Sequence, residues 1–367
     1  MTARRLAPAL LVVLALACRG PRPERPEGSC AHVQAVRQLH GESLCEDVWT
    51  CSRPPLGRFD RLGLRRVALC DGATGPVVLY LPGMHMNAEL PLVEPRHDLR
   101  LSLAEGGVRA WGLDYRTHAV PPDAAPAELR ALEGWTVDRF ADDVAWAAAF
   151  VRGADPGPLF VAGFSQGAVF AYRLASRRDA GLAGLLILDG APSPGPTVAS
   201  GGPAIDVGGS RLPFAERRRL LDQVVADANA PSPLPGFPTA GAALAHILST
   251  APLFGREGGL AAGARISEIS VLAALLRSYD RWWPSAAVGG PPPRPPKTPL
   301  PVLAFASTNM GPEWVDRVRA GARAYGGADA EVRELAGYGH LDVLVARRAT
   351  QDVFQPVLAW LGRQGGR

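Results

Sequence analysis

Lysine is all but missing from this chain of 367 residues: among its 39 basic side chains only Lys297 is a lysine, and the rest are arginines. Such a skew points to GC-rich coding more than to selection for phosphate binding. A concentrated basic face is missing too. The formal charge of +4 is spread along the chain in clusters no longer than Arg217-Arg218-Arg219, which speaks against nucleic acid as a partner. Charged residues are few, at 20%, while hydrophobic ones reach 47%; full disorder is excluded and a sizeable core is available. No internal repeat is visible. The length fits two domains or one large α/β domain with insertions, and 41 glycines with 35 prolines predict long loops.

The N-terminal apolar stretch, Leu6 to Ala17, is too short to cross a bilayer as a helix, which takes about 20 residues. Preceded by Arg4 and Arg5, it reads instead as the export signal of residues 1–18. Its end, Ala15-Leu16-Ala17-Cys18, resembles a bacterial lipoprotein box. That resemblance implies cleavage before Cys18, a lipid on its side chain, and a membrane-anchored protein on the periplasmic or extracellular side. An ordinary cleaved signal with a free Cys18 is the alternative. Residues 19–29 are Pro-rich and charged, suited to an extended linker.

Cysteine is scarce after that point and stops at residue 70. Cys30, Cys45, Cys51 and Cys70 lack a CxxC pair, which argues against zinc and, in an exported chain, for two disulfides; three connectivities remain open.

From about Gly57, apolar runs alternate with amphipathic segments. Strands are predicted at Leu64 to Leu69, Val77 to Leu81, Val108 to Leu113, Leu159 to Gly163, Leu182 to Leu188, Val302 to Ala306 and Ala330 to Leu335. Helices are predicted at Thr136 to Val151, Gln166 to Arg177, Glu313 to Tyr325 and, as one long closing helix, Leu341 to Leu361. This alternation implies βαβ units in a mostly parallel sheet with helices on both faces. Residues 30–192 and 301–367 form that core. Between them, 193–300 lacks any convincing strand. Its short helices around Phe214 to Ala228, Ala242 to Ser249 and Ile266 to Tyr279 predict a helical cap insertion, closed by a stiff Pro291 to Pro301 linker.

Gly163-Phe164-Ser165-Gln166-Gly167 matches G-x-S-x-G in the context that gives the motif meaning: an apolar strand before it and a helix after. Flanking glycines let a strained turn expose the Ser165 hydroxyl near a helix N-terminus, whose partial positive charge favours an oxyanion. Acyl transfer also needs two N–H donors for that oxyanion. Gln166, just after the serine, is one. Met84, in the Pro82-Gly83-Met84-His85 loop that follows the Val77 to Leu81 run, is the other. His85 is a tempting base but precedes the serine. Of the seven histidines, only His340, in Gly337-Tyr338-Gly339-His340, combines flanking glycines with the end of a predicted strand, and it is the expected base.

The order strand-LPGM, strand-GFSQG-helix, insertion, strand, strand-GYGHLD-helix resembles the α/β-hydrolase superfamily over roughly Leu56 to Gly362, with lipase- or esterase-like features. The resemblance implies an eight-stranded, mostly parallel sheet, a Ser-acid-His triad, and hydrolysis of a small-molecule or lipid-like ester without metal or organic cofactor. The acid departs from the usual pattern. The loop after Val302 to Ala306 offers Asn309 and the late Glu313, but no aspartate; Asp189, ending the preceding strand, matches the placement in some lipases of the superfamily. An anionic carboxylate is needed to stabilise an imidazolium, so Asp189 is the first choice and Glu313 the alternative. Asp342 is expected to brace the histidine loop. Rivals to ester hydrolysis are acyl transfer on the same residues and a non-catalytic binding lipoprotein. Trp282, Trp283, Phe214, Leu253 and Phe254 could line an acyl pocket or form the cap's own core.

Overall fold

The computed structural model describes residues 29–39, 43–72, 74–178, 180–193, 202–207, 212–249 and 266–365. The expectations for the signal, for Cys18, for the linker up to residue 28, and for Leu253 and Phe254 lie outside these residues. Among the described residues no helix is long and apolar enough to cross a membrane.

A single large sheet runs β1 (Cys30–Leu39), β2 (Leu44–Ser52), β3 (Arg61–Leu69), β5 (Arg109–Asp114), β4 (Val77–Leu81), β6 (Leu159–Phe164), β7 (Gly184–Leu188), β10 (Val302–Ser307) and β11 (Glu331–Leu335). From β5 to β11 neighbouring strands are parallel, whereas β1, β2, β3 and β5 pair antiparallel. Among the described residues the sheet therefore has nine strands rather than the eight expected. The additional strand is β1, and β2 was equally hidden, because polar residues (His32 and Gln38 in β1, the adjacent Glu46 and Asp47 in β2) leave neither a continuous apolar run nor a clean apolar alternation. What holds them is pairing and cross-linking. Cys30 lies opposite Cys51 in the ladder and is bonded to it, while Cys45 is bonded to Cys70 just past β3. That resolves the three possible connectivities. Each closed loop restricts the unfolded chain and stabilises the fold by roughly 2–4 kcal/mol, and both bonds fit an oxidising, exported setting.

The central strands β4, β6, β7 and β10 are buried along their whole length because helices cover both faces. On one face Val77, Leu79 and Leu81 meet α3 (Val137–Ala154), α4 (Gln166–Ala175) and, through Val315, Val318 and Ala322, the helix Pro312–Gly326. On the other, Val78 and Tyr80 share a core with Leu99 and Leu103 of α1 (Leu99–Glu105), which the short α2 (Pro126–Leu129) separates from α3 along the chain, and with Val357, Trp360 and Leu361 near the C-terminus.

Two further expectations change. The segment between β7 and β10 has the helices Phe214–Ala226, Ala240–Ser249 and Ile269–Arg277, but also a small antiparallel pair, β8 (Ala204–Asp206) with β9 (Trp282–Pro284). Three-residue strands whose paired residues lie almost eighty positions apart leave no local periodicity to read. Trp283 of β9 is fully buried against Tyr115 and Phe140, so it belongs to the main core. The single closing helix is broken into Asp342–Val345 and Gln355–Gly365, with a π-turn at Thr350–Phe354. The break falls where Ala346 bridges Ser267 and the Arg347 amide donates to Ile266 O, so backbone hydrogen bonds that would have continued the helix go to a neighbouring segment.

Candidate active site

Ser165 closes β6 and caps α4 with φ 53° and ψ −118°, a conformation that costs a non-glycine residue on the order of 1–3 kcal/mol. The chain around it is as tight as the motif implies. A Cβ on Gly167 would stand 2.0 Å from Leu81 O, and one on Gly163 would stand 2.5 Å from Gly167 O. Because the obstructing atoms are backbone, Gly167→Ala is expected to destabilise the protein by about 3 kcal/mol or more. Thermal unfolding would read this as a large drop in Tm; an unchanged Tm would mean that the turn is looser than described. The same contacts show that the loop after β4 packs directly on the start of α4.

That loop carries Met84, half-buried, and His85, buried with φ 64°. Gln166 is the first residue of α4, so its N–H has no intrahelical acceptor; its side-chain amide donates to Ala287 O across 3.3 Å. The His85 ring does not sit free as a base. Its Nδ1 donates to Asp280 O at 3.0 Å, and burial pushes its pKa down to about 4, keeping it neutral.

The histidine loop follows β11 and is fastened at several points. Gly337 takes φ 76° and its amide donates to Thr308 Oγ1; the Asn309 amide donates to Tyr338 O. Asp342 Oδ2 accepts from the Gly339 amide at 2.7 Å, and Oδ1 accepts from Ser267 Oγ at 2.5 Å. Burial raises the Asp342 carboxyl above the ordinary range, against these two donors. In this setting His340 is 7% exposed, its ring held between Phe164 (centroids 4.8 Å apart) and the edge of Trp314 (5.9 Å).

The distances around His340 bring together three segments far apart in sequence. Nε2 stands 2.8 Å from Ser165 Oγ and Nδ1 stands 2.5 Å from Asp189 Oδ2. Since a carboxylate only accepts, Nδ1 carries the proton and Nε2 is left to accept from the serine hydroxyl. Asp189 is fully buried with φ 47°, and its Oδ1 accepts from the Ser307 amide at 2.7 Å and the Trp314 indole at 2.9 Å. Glu313, the alternative acid, is exposed in the first turn of Pro312–Gly326, whereas His340 Nδ1 is already engaged by Asp189. Trp314 and Ser307 were missed by sequence reasoning. Nothing in the pattern of a surface helix or a strand end marks them, and their role exists only once β7 and β10 are adjacent.

A second polar cluster borders the loop of Met84. His118 Nδ1 lies 2.9 Å from Asp280 Oδ1, and Nε2 lies 3.6 Å from Glu89. Burial alone would lower the His118 pKa, but the hydrogen bond to Asp280 and the charges of Asp114, Asp280 and Glu89 outweigh it and raise it to about 9. The folded value lies above the unfolded one, so this pairing contributes fully below about pH 6.5 and is lost as pH rises through about 9. Between about pH 7 and pH 10, Tm should therefore fall more steeply for the wild type than for His118→Gln; parallel curves would contradict this.

Among the described residues no group of three or more His, Cys, Asp or Glu side chains could hold a metal ion. The strand order, the turn at Ser165 and the loop at His340 together define the α/β-hydrolase fold. A protein from Sulfolobus solfataricus, provisionally named a lipase, superposes with a TM-score of 0.73 at 22% identity, covering 92% of this chain and 99% of its own. An α/β-hydrolase-fold protein from Nakamurella multipartita superposes with a TM-score of 0.51 at 18% identity, covering 84% of this chain and 97% of its own. No protein-family model matches the chain, and no curated protein matches it in sequence.

Proposed function

We propose that the protein is a serine hydrolase of carboxylic esters, with Ser165 as nucleophile, His340 as general base and acid, Asp189 as the acid that orients the ring, and the Met84 and Gln166 amides as oxyanion donors. The observation that carries this reading is the unbroken hydrogen-bonded chain from Ser165 Oγ through both nitrogens of His340 to a fully buried carboxylate.

Ser165 Oγ attacks the acyl carbon while its proton passes to His340 Nε2, and the carbonyl oxygen becomes the oxyanion that the two amides receive. As the C–O bond to the alcohol breaks, Nε2 returns the proton to the departing oxygen, leaving an acyl-Ser165. Water then adds by the same route, His340 taking its proton, and the carboxylic acid leaves with Ser165 restored.

Residues 193–300 act as a cap over this site, a reading supported by the contacts that Ser267, Asp280 and Ala287 make with the three loops around it. Cys18 carries a lipid that tethers the globule to a membrane on the exported side, through the 19–29 linker; the two disulfides agree with that compartment. The substrate is a small-molecule or lipid-like ester. A chain-length series of nitrophenyl esters on the signal-deleted protein, with fluorophosphonate labelling of wild type and Ser165→Ala, tests the reading. Turnover and labelling that depend on Ser165 are expected; an inert, unlabelled wild type would end it.

A further inference from the structure

Asp280 ends the stretch after helix Ile269–Arg277, far from the G-x-S-x-G turn in sequence, yet it hydrogen-bonds four residues beside the site, His85, Asn87, Thr117 and His118. Its carboxylate, with the side chain 7% exposed, accepts from three side chains. Oδ1 takes Asn87 Nδ2 at 3.0 Å and His118 Nδ1 at 2.9 Å, and Oδ2 takes Thr117 Oγ1 at 3.1 Å. Its backbone engages His85 on both sides: the Asp280 amide donates to His85 O at 2.7 Å, and Asp280 O accepts from the His85 ring. Asn87 adds a second bond to the same segment through Ser278 O at 2.8 Å.

These contacts converge on the loop of Met84. His85 holds a left-handed backbone there, which persists in a non-glycine residue only where its surroundings over-determine it. The loop's flanks are held elsewhere: Tyr115 donates to Pro82 O, and the Ala88 amide donates to Asp114 Oδ1. Between those points, among the described residues, the hydrogen bonds that reach His85 and Asn87 from outside the loop come from the Asp280 segment, while the Glu89 amide donates to Asn87 Oδ1 within it. The carboxylate reaches this loop at Asn87, three residues after Met84, while the Asp280 backbone holds His85, the residue next to it.

We propose that Asp280 is a positioning residue for the oxyanion site: its carboxylate, by holding Asn87, Thr117 and His118 together, fixes the loop that presents the Met84 amide. The inference rests on the ester-hydrolase reading. It separates transition-state stabilisation from binding, because the donor matters most when negative charge develops on the substrate oxygen. A displacement of the order of 1 Å in such a donor costs about 100-fold in rate. Asparagine can keep the arrangement without the charge, since its oxygen still accepts from Asn87 and His118 and its amide can donate to a turned Thr117 hydroxyl. Alanine cannot.

The experiment measures kcat and KM for nitrophenyl butyrate, with Tm and the rate of fluorophosphonate labelling, in wild type, Asp280→Ala and Asp280→Asn. Asp280→Ala is expected to lose about 100-fold in kcat with KM changed less than about threefold, and to label correspondingly slowly. Asp280→Asn is expected to recover at least about a tenth of wild-type kcat. A folded Asp280→Ala with wild-type kcat, a loss carried by KM, or an Asn variant as slow as Ala would overturn the assignment. Should Asp280→Ala not fold, Asn87→Ala and Thr117→Val, which each remove one donor, carry the same comparison. A wild type without turnover or labelling overturns both readings, whereas wild-type turnover matched by Asp280→Ala overturns this one alone.

Discussion

Ser165→Ala is expected to lower ester turnover by on the order of 10⁶-fold and to abolish fluorophosphonate labelling. The change removes one oxygen atom and nothing that packs. Ser165 Oγ has His340 Nε2 as its hydrogen-bond partner, and the strained φ of 53° is held by the backbone, through the Ser165 amide to Leu188 O and the Ala168 amide to Ser165 O. Alanine should occupy that conformation at similar strain, so Tm should move by no more than a few degrees. Loss of activity without loss of fold is therefore the expected pair of results. Labelling that persisted in the variant would place the nucleophile elsewhere, on another exposed hydroxyl, and the reading of the whole site would fail with it.

The second large effect concerns the acid. Asp189→Asn should cost about 10⁴-fold in kcat, while Glu313→Gln should stay within about twofold of wild type. Asparagine still offers an oxygen to the Ser307 amide and the Trp314 indole, so the strand end should hold. Its NH₂, turned toward Nδ1, would hold that nitrogen as an acceptor and leave the proton on Nε2, where it can no longer receive the serine's. Geometry survives and the tautomer is wrong. Steady-state kinetics on both variants, beside their melting curves, decides the matter: a fast Asp189→Asn, or a slow Glu313→Gln, would return the acid to the loop after β10. Glu313 is poorly placed for it, being exposed in the first turn of its helix, while His340 Nδ1 is already engaged by Asp189.

Much of the parallel core was legible because its signal is local. Five apolar residues ending at Pro82-Gly83 can hardly be anything but a buried strand, and the run Leu159 to Phe164 followed by glycines and a helix-forming segment states both the strand and the turn that ends it. Ser165 and His340 could be picked out for the same reason, since each sits in a glycine-flanked turn. The antiparallel edge was not legible. β1 and β2 are interrupted by polar residues, among them the adjacent Glu46 and Asp47, and persist through pairing partners and two disulfides, neither of which a local pattern reveals. The short β8–β9 pair and the break after Val345 escaped for a related reason: their hydrogen-bond partners lie some seventy to eighty residues away.

By itself, then, the amino-acid sequence determined the alternating α/β pattern, the strained serine turn and the glycine-rich histidine loop, because hydrophobic period and glycine placement act over a handful of neighbouring residues. It left the acid open between Asp189 and Glu313, left the cysteine pairing open, and gave no sign of Trp314 or Asp280. Which carboxylate meets His340, how the cysteines pair and what Trp314 and Asp280 touch were decided by tertiary structure alone. The adjacency of β7 and β10 puts Asp189 beneath the ring, and the course of the chain between them brings Asp280 against the loop of Met84; hydrogen bonds act over about 3 Å in space whatever the separation along the chain.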